Sequence, residues 1–313
     1  MDMKKSALSV LTSCMGAKAG ESVLIVTDNI KYKIGIALYE AALEIGCEAM
    51  LMVMQEREVS GTEPPIAVAE AMRNSDIVIC PTAKSLTHTN ARINAVKNNA
   101  RVGTMPGITE QMFLEGAITA NFDEVEKITE KITKLLTDAK SARIEKDGYV
   151  LNIGLEGRSG VPSPGVYKTP GTGGNLPSGE SYIAPVETMA NGEMIIDGSM
   201  VGIGKLDEPL YVRIKDGKLI EVKGKGSEKL DVLFRNEKNS TIAELGIGTN
   251  EKAKLCGVIL EDEKVYGTVH IAFGTNTSFG GTNKADCHMD GIILKPNLYL
   301  DDKPIILEGQ FVI

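Results

Sequence analysis

The sequence predicts an α/β N-terminal domain with a parallel sheet, followed by a β-rich α+β C-terminal domain carrying a metal site. Three observations carry this prediction. The first 140 residues alternate short β-type runs with helical stretches. Glycine is lopsided, with 8 of 33 before residue 141 and 25 after it. Two of only three histidines fall within nineteen residues near the end of the chain. A length of 313 residues fits two domains of about 150 each, placed here at 1–145 and 146–313.

The opening segment puts Ala7, Val10, Leu11 and Cys14 at helical spacing and predicts an amphipathic helix. Its apolar stretch, Ala7 to Leu11, contains Ser9 and is shorter than the roughly 7–15 residues of an export signal. Ser22–Thr27 then reads as a strand with Asp28-Asn29 as its turn. Lys33–Ile45 reads as a helix ended by Gly46. Glu48–Met54, Asp76–Cys80 and Arg101–Thr104 read as further strands, and Pro64–Asn74, His88–Asn98 and Asp123–Leu136 as helices. Strands separated by helices imply βαβ crossovers and a parallel sheet. The first unit lacks the glycine fingerprint of dinucleotide sites, and no phosphate-binding loop of the Walker type occurs.

Beyond residue 145, β-type runs at Tyr149–Leu155, Glu193–Asp197, Leu210–Ile214 and Lys218–Lys223 sit between glycine turns. Asp216-Gly217 joins the last two as a hairpin. Ser227–Phe234 and Lys252–Asp262 are the helical stretches of this half.

Composition narrows the function. A net charge of −8 and the lack of a basic cluster interleaved with aromatics argue against nucleic acid. The longest clean apolar run, Ala49–Met54, is too short to span a bilayer. Five cysteines without paired spacing suggest reduced thiols and a cytoplasmic location. Asn239-Ser-Thr and Asn276-Thr-Ser fit the glycosylation pattern, which carries no weight without export.

The chemistry concentrates in the second half. His288 and Asp290 stand at i and i+2, which on a strand puts both side chains on one face. His270 lies in a neighbouring β-type run, and two histidines with one carboxylate make a compact metal site. Glu180, where a loop enters a strand, and Glu244, in a small apolar stretch, extend the constellation. A carboxylate in such surroundings needs a cation, a salt bridge or several donors. Cys287 adjoins His288 but points to the other face of a strand, so it reads as structural.

The order Pro177-x-x-Glu180-x-x-x-x-Pro185, Glu244 beside glycine, His270-Ile-Ala-Phe-Gly and His288-x-Asp290 resembles the aminopeptidase T and aminopeptidase S type metallopeptidases. The resemblance covers roughly residues 175–295. It implies metal ligands at Glu180, Glu244, His270, His288 and Asp290, a two-metal centre and a homodimer. Its tyrosine ligand, seven residues after the first histidine, is Thr277 here, and the segment between the histidines is short. Threonine has no accessible anionic form near neutral pH, so both departures bear on the second metal. They move the sequence towards a related branch resembling 2,5-dihydroxypyridine dioxygenase, with His270, His288 and Asp290 holding one ferrous ion. That branch also draws in His88 and Arg92, four apart and on one face if the helix starts early enough, with His88 as a substrate-side base.

The expected function is a metal-dependent hydrolase of the aminopeptidase kind, using Zn, Co or Mn to activate water on a small peptide. Glu180 or Glu244 would move the proton to the leaving amine. The alternative is a mononuclear non-haem Fe(II) ring-cleaving dioxygenase acting on a small hydroxylated ring. A third reading is a catalytically silent metal-binding protein that keeps the fold.

Overall fold

A computed structural model describes residues 2–313. The chain separates into two compact units: the chain up to Glu126 with Gly165–Ser178, and Lys127–Pro164 with Gly179–Ile313. This division differs from the composition boundary at 145, because Gly165–Ser178 returns to the first unit, where Gly173–Asn175 pairs with Val102–Thr104. Strands and helices are numbered along the chain.

In the first unit, β1 (Ser22–Asp28), β2 (Glu48–Met54), β3 (Ile77–Thr82), β4 (Arg101–Pro106) and β8 (Gly173–Asn175) form a parallel sheet, ordered β2-β1-β3-β4-β8. The helices are α1 (Met3–Ser9), α2 (Tyr32–Ile45), α3 (Ile66–Arg73), α4 (Asn90–Lys97) and α5 (Glu110–Glu115). β3 is buried along its whole length, the pattern of a parallel strand covered on both faces. Leu24, Val26, Val78, Cys80 and Val102 pack there with Val68 and Met72 of α3 and Ala91 and Ala95 of α4. Ala7, Val10, Leu11 and Cys14 are all fully buried, the last three in a π-helical turn that continues α1.

Asp28 shows why the first βα turn needs no glycine fingerprint. Its Oδ1 accepts from the backbone N–H of Ile30 at 3.0 Å and Lys31 at 2.9 Å, and its Oδ2 from that of Ala83 at 2.6 Å. The carboxylate satisfies backbone donors in the turns after both β1 and β3.

The helix expected from His88 begins later. Thr89 is its N-cap, accepting from the Arg92 N–H at 3.3 Å, and the helix starts at Asn90. His88 therefore precedes the helix and does not share a helical face with Arg92. The capping hydroxyl decided this boundary. Similarly, the helix expected over Lys252–Asp262 shrinks to α7 (Ile259–Asp262), and Ser227–Phe234 is 3₁₀ rather than α.

α6 (Phe122–Asp138) runs from one unit into the other. In the second unit an eight-stranded antiparallel sheet has the order β14-β13-β10-β6-β5-β18-β19-β20. Its strands are β5 (Ser141–Lys146), β6 (Tyr149–Gly154), β10 (Ala190–Ile196), β13 (Leu210–Lys215), β14 (Lys218–Lys223), β18 (Asn297–Leu300), β19 (Lys303–Leu307) and β20 (Gln310–Phe311). The hairpin between β13 and β14 turns at Asp216 (φ 51°) and Gly217 (φ 73°), two successive positive φ angles as a type I′ turn requires.

A seven-stranded antiparallel sheet has the order β12-β11-β17-β16-β15-β9-β7. It contains β7 (Val161–Ser163), β9 (Glu180–Ile183), β11 (Ser199–Met200), β12 (Gly204–Lys205), β15 (Ile242–Gly248), β16 (Val269–Gly274) and β17 (His288–Ile293). One core joins the two sheets and the C-terminal part of α6. The second sheet gives it Leu245, Ile247, Val269, Ile271, Phe273, Met289 and Ile293. Since alternate residues face opposite ways, the other face of β15, β16 and β17 carries Glu244, His270, Ala272, His288 and Asp290. No helix among the described residues is long and apolar enough to cross a membrane.

Candidate metal centre

The sheet register assembles the site. Ala272 of β16 pairs with Glu244 on one side and Asp290 on the other. His270 pairs with Gly246, His288 with Gly274, and Glu180 with Gly248. Ligand-type side chains thus alternate with glycine or alanine on one face, and the small residues leave room for the large ones. Gly246 is the clearest instance: a Cβ there would stand 1.9 Å from His270 Nε2. A register irregularity falls between Ile242 and Glu244, the kind of bulge that re-aims a side chain next to a site.

Glu180, Glu244, His270, His288 and Asp290 are all brought together here. His270 Nε2 lies 3.2 Å from Glu244 Oε1 and 3.5 Å from Glu180 Oε2. His288 Nε2 lies 3.4 Å from Glu244 Oε2 and 3.2 Å from Asp290 Oδ1. His270 is fully buried, and the three carboxylates are each only 6% exposed. Two residues that the motifs did not suggest complete the cluster. The Lys264 ammonium, fully buried, lies 2.7 Å from Glu180 Oε1 and also contacts the Glu263 carboxylate.

The donor set fits a cation. Thr275 O, which can only accept, lies 2.8 Å from His288 Nδ1. Nδ1 therefore carries the proton, and neutral His288 aims its Nε2 lone pair at two carboxylates. That arrangement is repulsive unless the ring is protonated or a cation sits among them. Glu180 Oε2 and His270 Nδ1 are buried without a hydrogen-bond partner. Atoms of Glu244, His270 and Asp290 lie within 4.8 Å of one another, as do atoms of Glu180, Glu263 and His270.

Without a metal, protons take the cation's place. Burial would lower the His270 pKa, but the hydrogen bond to Glu244 and the charges of Glu180 and Glu244 raise it to about 9. His288 is raised well above its ordinary value, with Asp290 and Glu244 outweighing burial. Burial would raise Glu244, yet hydrogen bonds from both histidines hold it at about 2. Burial and the charge of Glu180 push Glu263 up to about 8. A histidine with a raised folded pKa stabilises fully below its unfolded value of about 6.5 and loses that contribution as pH rises through the folded one. Metal-free protein is therefore expected to melt at falling temperatures between about pH 6.5 and about 9. Thermal melts in chelator check this, and a flat melting temperature across that window contradicts it.

Aromatic rings flank the site. Phe279 meets the His288 ring edge-on, with centroids 6.0 Å apart, and Tyr182 meets Phe279 at 5.3 Å. Thr277, at the tyrosine position of the peptidases, is exposed on the same loop. Cys287 packs against the core, and burial raises its thiol pKa, in keeping with a structural role. His88 and Arg92 belong to the first unit, where Arg92 Nη2 donates to Gly173 O and His88 is exposed.

The chain belongs to the 2,5-dihydroxypyridine 5,6-dioxygenase family, whose match covers residues 2–313. A 2,5-dihydroxypyridine 5,6-dioxygenase of Pseudomonas putida KT2440 is 27% identical over 195 residues, which span 57% of this chain and 56% of that protein. The sequence match thus covers little more than half of the relative's length. A solved structure of 2,5-dihydroxypyridine dioxygenase from Pseudomonas putida KT2440 superposes with a TM-score of 0.84 at 20% identity, covering 99% of this chain and 96% of that one. AmpT from Thermus thermophilus superposes with a TM-score of 0.72 at 17% identity, covering 99% of both chains. At such identities these likenesses establish the fold. The family match corrects the order of the two functional expectations, setting the dioxygenase branch ahead of the peptidase. The short motifs could not separate the two, because both resemblances rest on His270, His288 and Asp290.

Proposed function

We propose that the protein is an Fe(II)-dependent ring-cleaving dioxygenase acting on a small dihydroxylated pyridine or a related ring. The family match over residues 2–313 carries this reading, and the placement of His270 on β16 and of His288 and Asp290 on the adjacent β17, with both imidazoles against Glu244, supports it. His270, His288 and Asp290 would hold the ferrous ion. Bound there, it supplies the open coordination positions and redox chemistry that two-histidine, one-carboxylate sites bring to O₂.

The other side chains set the surroundings. Glu244 lies between the two imidazoles, with one oxygen 3.2 Å from His270 Nε2 and the other 3.4 Å from His288 Nε2. The Thr275 carbonyl fixes the His288 tautomer, as outer partners do for metal-binding histidines. Glu180 has one oxygen tied to Lys264 and the other without a hydrogen bond, so it is the carboxylate free to accept a proton from a ring hydroxyl. Phe279 and Tyr182 supply apolar surface near the site. We keep the resemblance's homodimer as the proposed assembly, to be checked by light scattering.

Anaerobic loading with Fe(II), followed by oxygen-electrode measurements with 2,5-dihydroxypyridine, tests the reading. Substrate-dependent O₂ uptake that needs Fe(II) is expected. Absence of uptake, together with release of N-terminal residues from peptides by the Zn, Co or Mn form, would reverse the order of the two functions.

A further inference from the structure

Two groups here could hold a cation, Glu244 with His270 and Asp290, and Glu180 with Glu263 and His270, and they share one imidazole. They therefore lie side by side, and since one imidazole nitrogen serves one ion, a second ion beside the first would rest on Glu180 and Glu263. The second group already contains a positive charge. The Lys264 ammonium lies 2.7 Å from Glu180 Oε1 and contacts the Glu263 carboxylate, and its side chain is fully buried.

The backbone around it is arranged to deliver that charge. The Lys264 carbonyl accepts from the Asn250 N–H at 2.9 Å, which ties this segment to the end of β15. A Cβ on Gly248 would stand 2.0 Å from Val265 O, so only glycine lets residues 264 and 265 run this close to the strand. The two glycines of Glu244-Leu-Gly246-Ile-Gly248 thus have separate tasks: one admits the His270 ring, the other the Lys264 segment.

We propose that the Lys264 ammonium is a built-in substitute for a second metal ion and limits this centre to one. A divalent ion entering between Glu180 and Glu263 would have to displace an ammonium that already uses both carboxylates. Its burial prevents it from simply swinging into solvent. The inference rests on the reading of this face as a metal site, but not on which reaction the site performs.

The test counts zinc. Full-length protein stripped with chelator is equilibrated with excess Zn(II), desalted and subjected to elemental analysis, with thermal melts alongside. Wild type is expected to hold one zinc per chain and Lys264→Met two. The Lys264→Met/Glu263→Gln double variant is expected to return to one, because one of the two carboxylates that would hold the second ion is gone. The melting temperature of Lys264→Met should rise with Zn(II) beyond the rise seen for wild type. A merely structural lysine would destabilise the protein when removed, without creating a second zinc site.

Two zinc ions in wild type, or one in folded Lys264→Met, would overturn the proposal while leaving the metal site intact. No zinc in wild type would overturn both. Lys264→Gln, which keeps hydrogen-bond donors for Glu180 but no charge, serves if the Met variant fails to fold, and it too is expected to bind two.

Discussion

His270→Ala is expected to lose its metal and, with it, all metal-dependent turnover. The imidazole is fully buried, faces Glu244 and Glu180 at 3.2 and 3.5 Å, and belongs to both groups that can hold a cation on this face. Removing the partners that merely orient a metal-binding histidine costs about 10–100-fold in affinity. Removing the ligand itself should therefore weaken Fe(II) or Zn(II) binding by more than roughly 100-fold, measured by competition with a coloured chelator. The protein should still fold, since the core lies on the opposite face of β16, on Val269, Ile271 and Phe273. A folded His270→Ala protein that binds metal as wild type does would place the ion elsewhere.

Gly246→Ala is expected to have nearly the same effect through a residue that touches no metal. The added methyl would stand 1.9 Å from His270 Nε2 and 2.2 Å from its Cε1. No rearrangement confined to the methyl can relieve such a contact, so the ring must leave its position against β15. Overpacking of a tight interior costs typically about 1–3 kcal/mol. The expected result is a lower urea midpoint with an unchanged slope, together with loss of stoichiometric metal. Ala272 already carries a methyl on the same face between Glu244 and Asp290. The harm is thus specific to the position opposite His270, and wild-type metal content in Gly246→Ala would contradict it.

Much of this arrangement was legible in the sequence. The alternation of runs gave β1 to β3 and the helices between them, and Gly46 stands at the end of α2 with φ of 88°. The i, i+2 spacing of His288 and Asp290 put both on one face once they lay on a strand. Glu244 stood out because nothing in its small, apolar surroundings could compensate a carboxylate.

Other features were hidden for physical reasons. Glu261-Asp262-Glu263-Lys264 reads as a solvated charged run, yet it turns inward: Asp262 Oδ1 accepts from the Cys256 N–H at 2.7 Å, and Lys264 meets two carboxylates. Only the absence of a side chain at Gly248 permits that approach, and a single glycine in a glycine-rich half gives no local signal. β5 (Ser141–Lys146), with serine, arginine, glutamate and lysine among its six residues, lacks an apolar run, and pairing with β6 and β18 makes it a strand. The start of this helix was expected two residues early, at His88, because threonine on either side of it is able to cap, and Thr89 is the one that does.

On the proposed function, this face of β15, β16 and β17 holds a ferrous ion for ring cleavage by O₂. Turnover of 2,5-dihydroxypyridine under ¹⁸O₂ by the Fe(II)-loaded protein, read by mass spectrometry of the product, tests it most directly. A ring-opened product carrying both oxygen-18 atoms is expected. No ring-opened product, or one without oxygen-18, would contradict it.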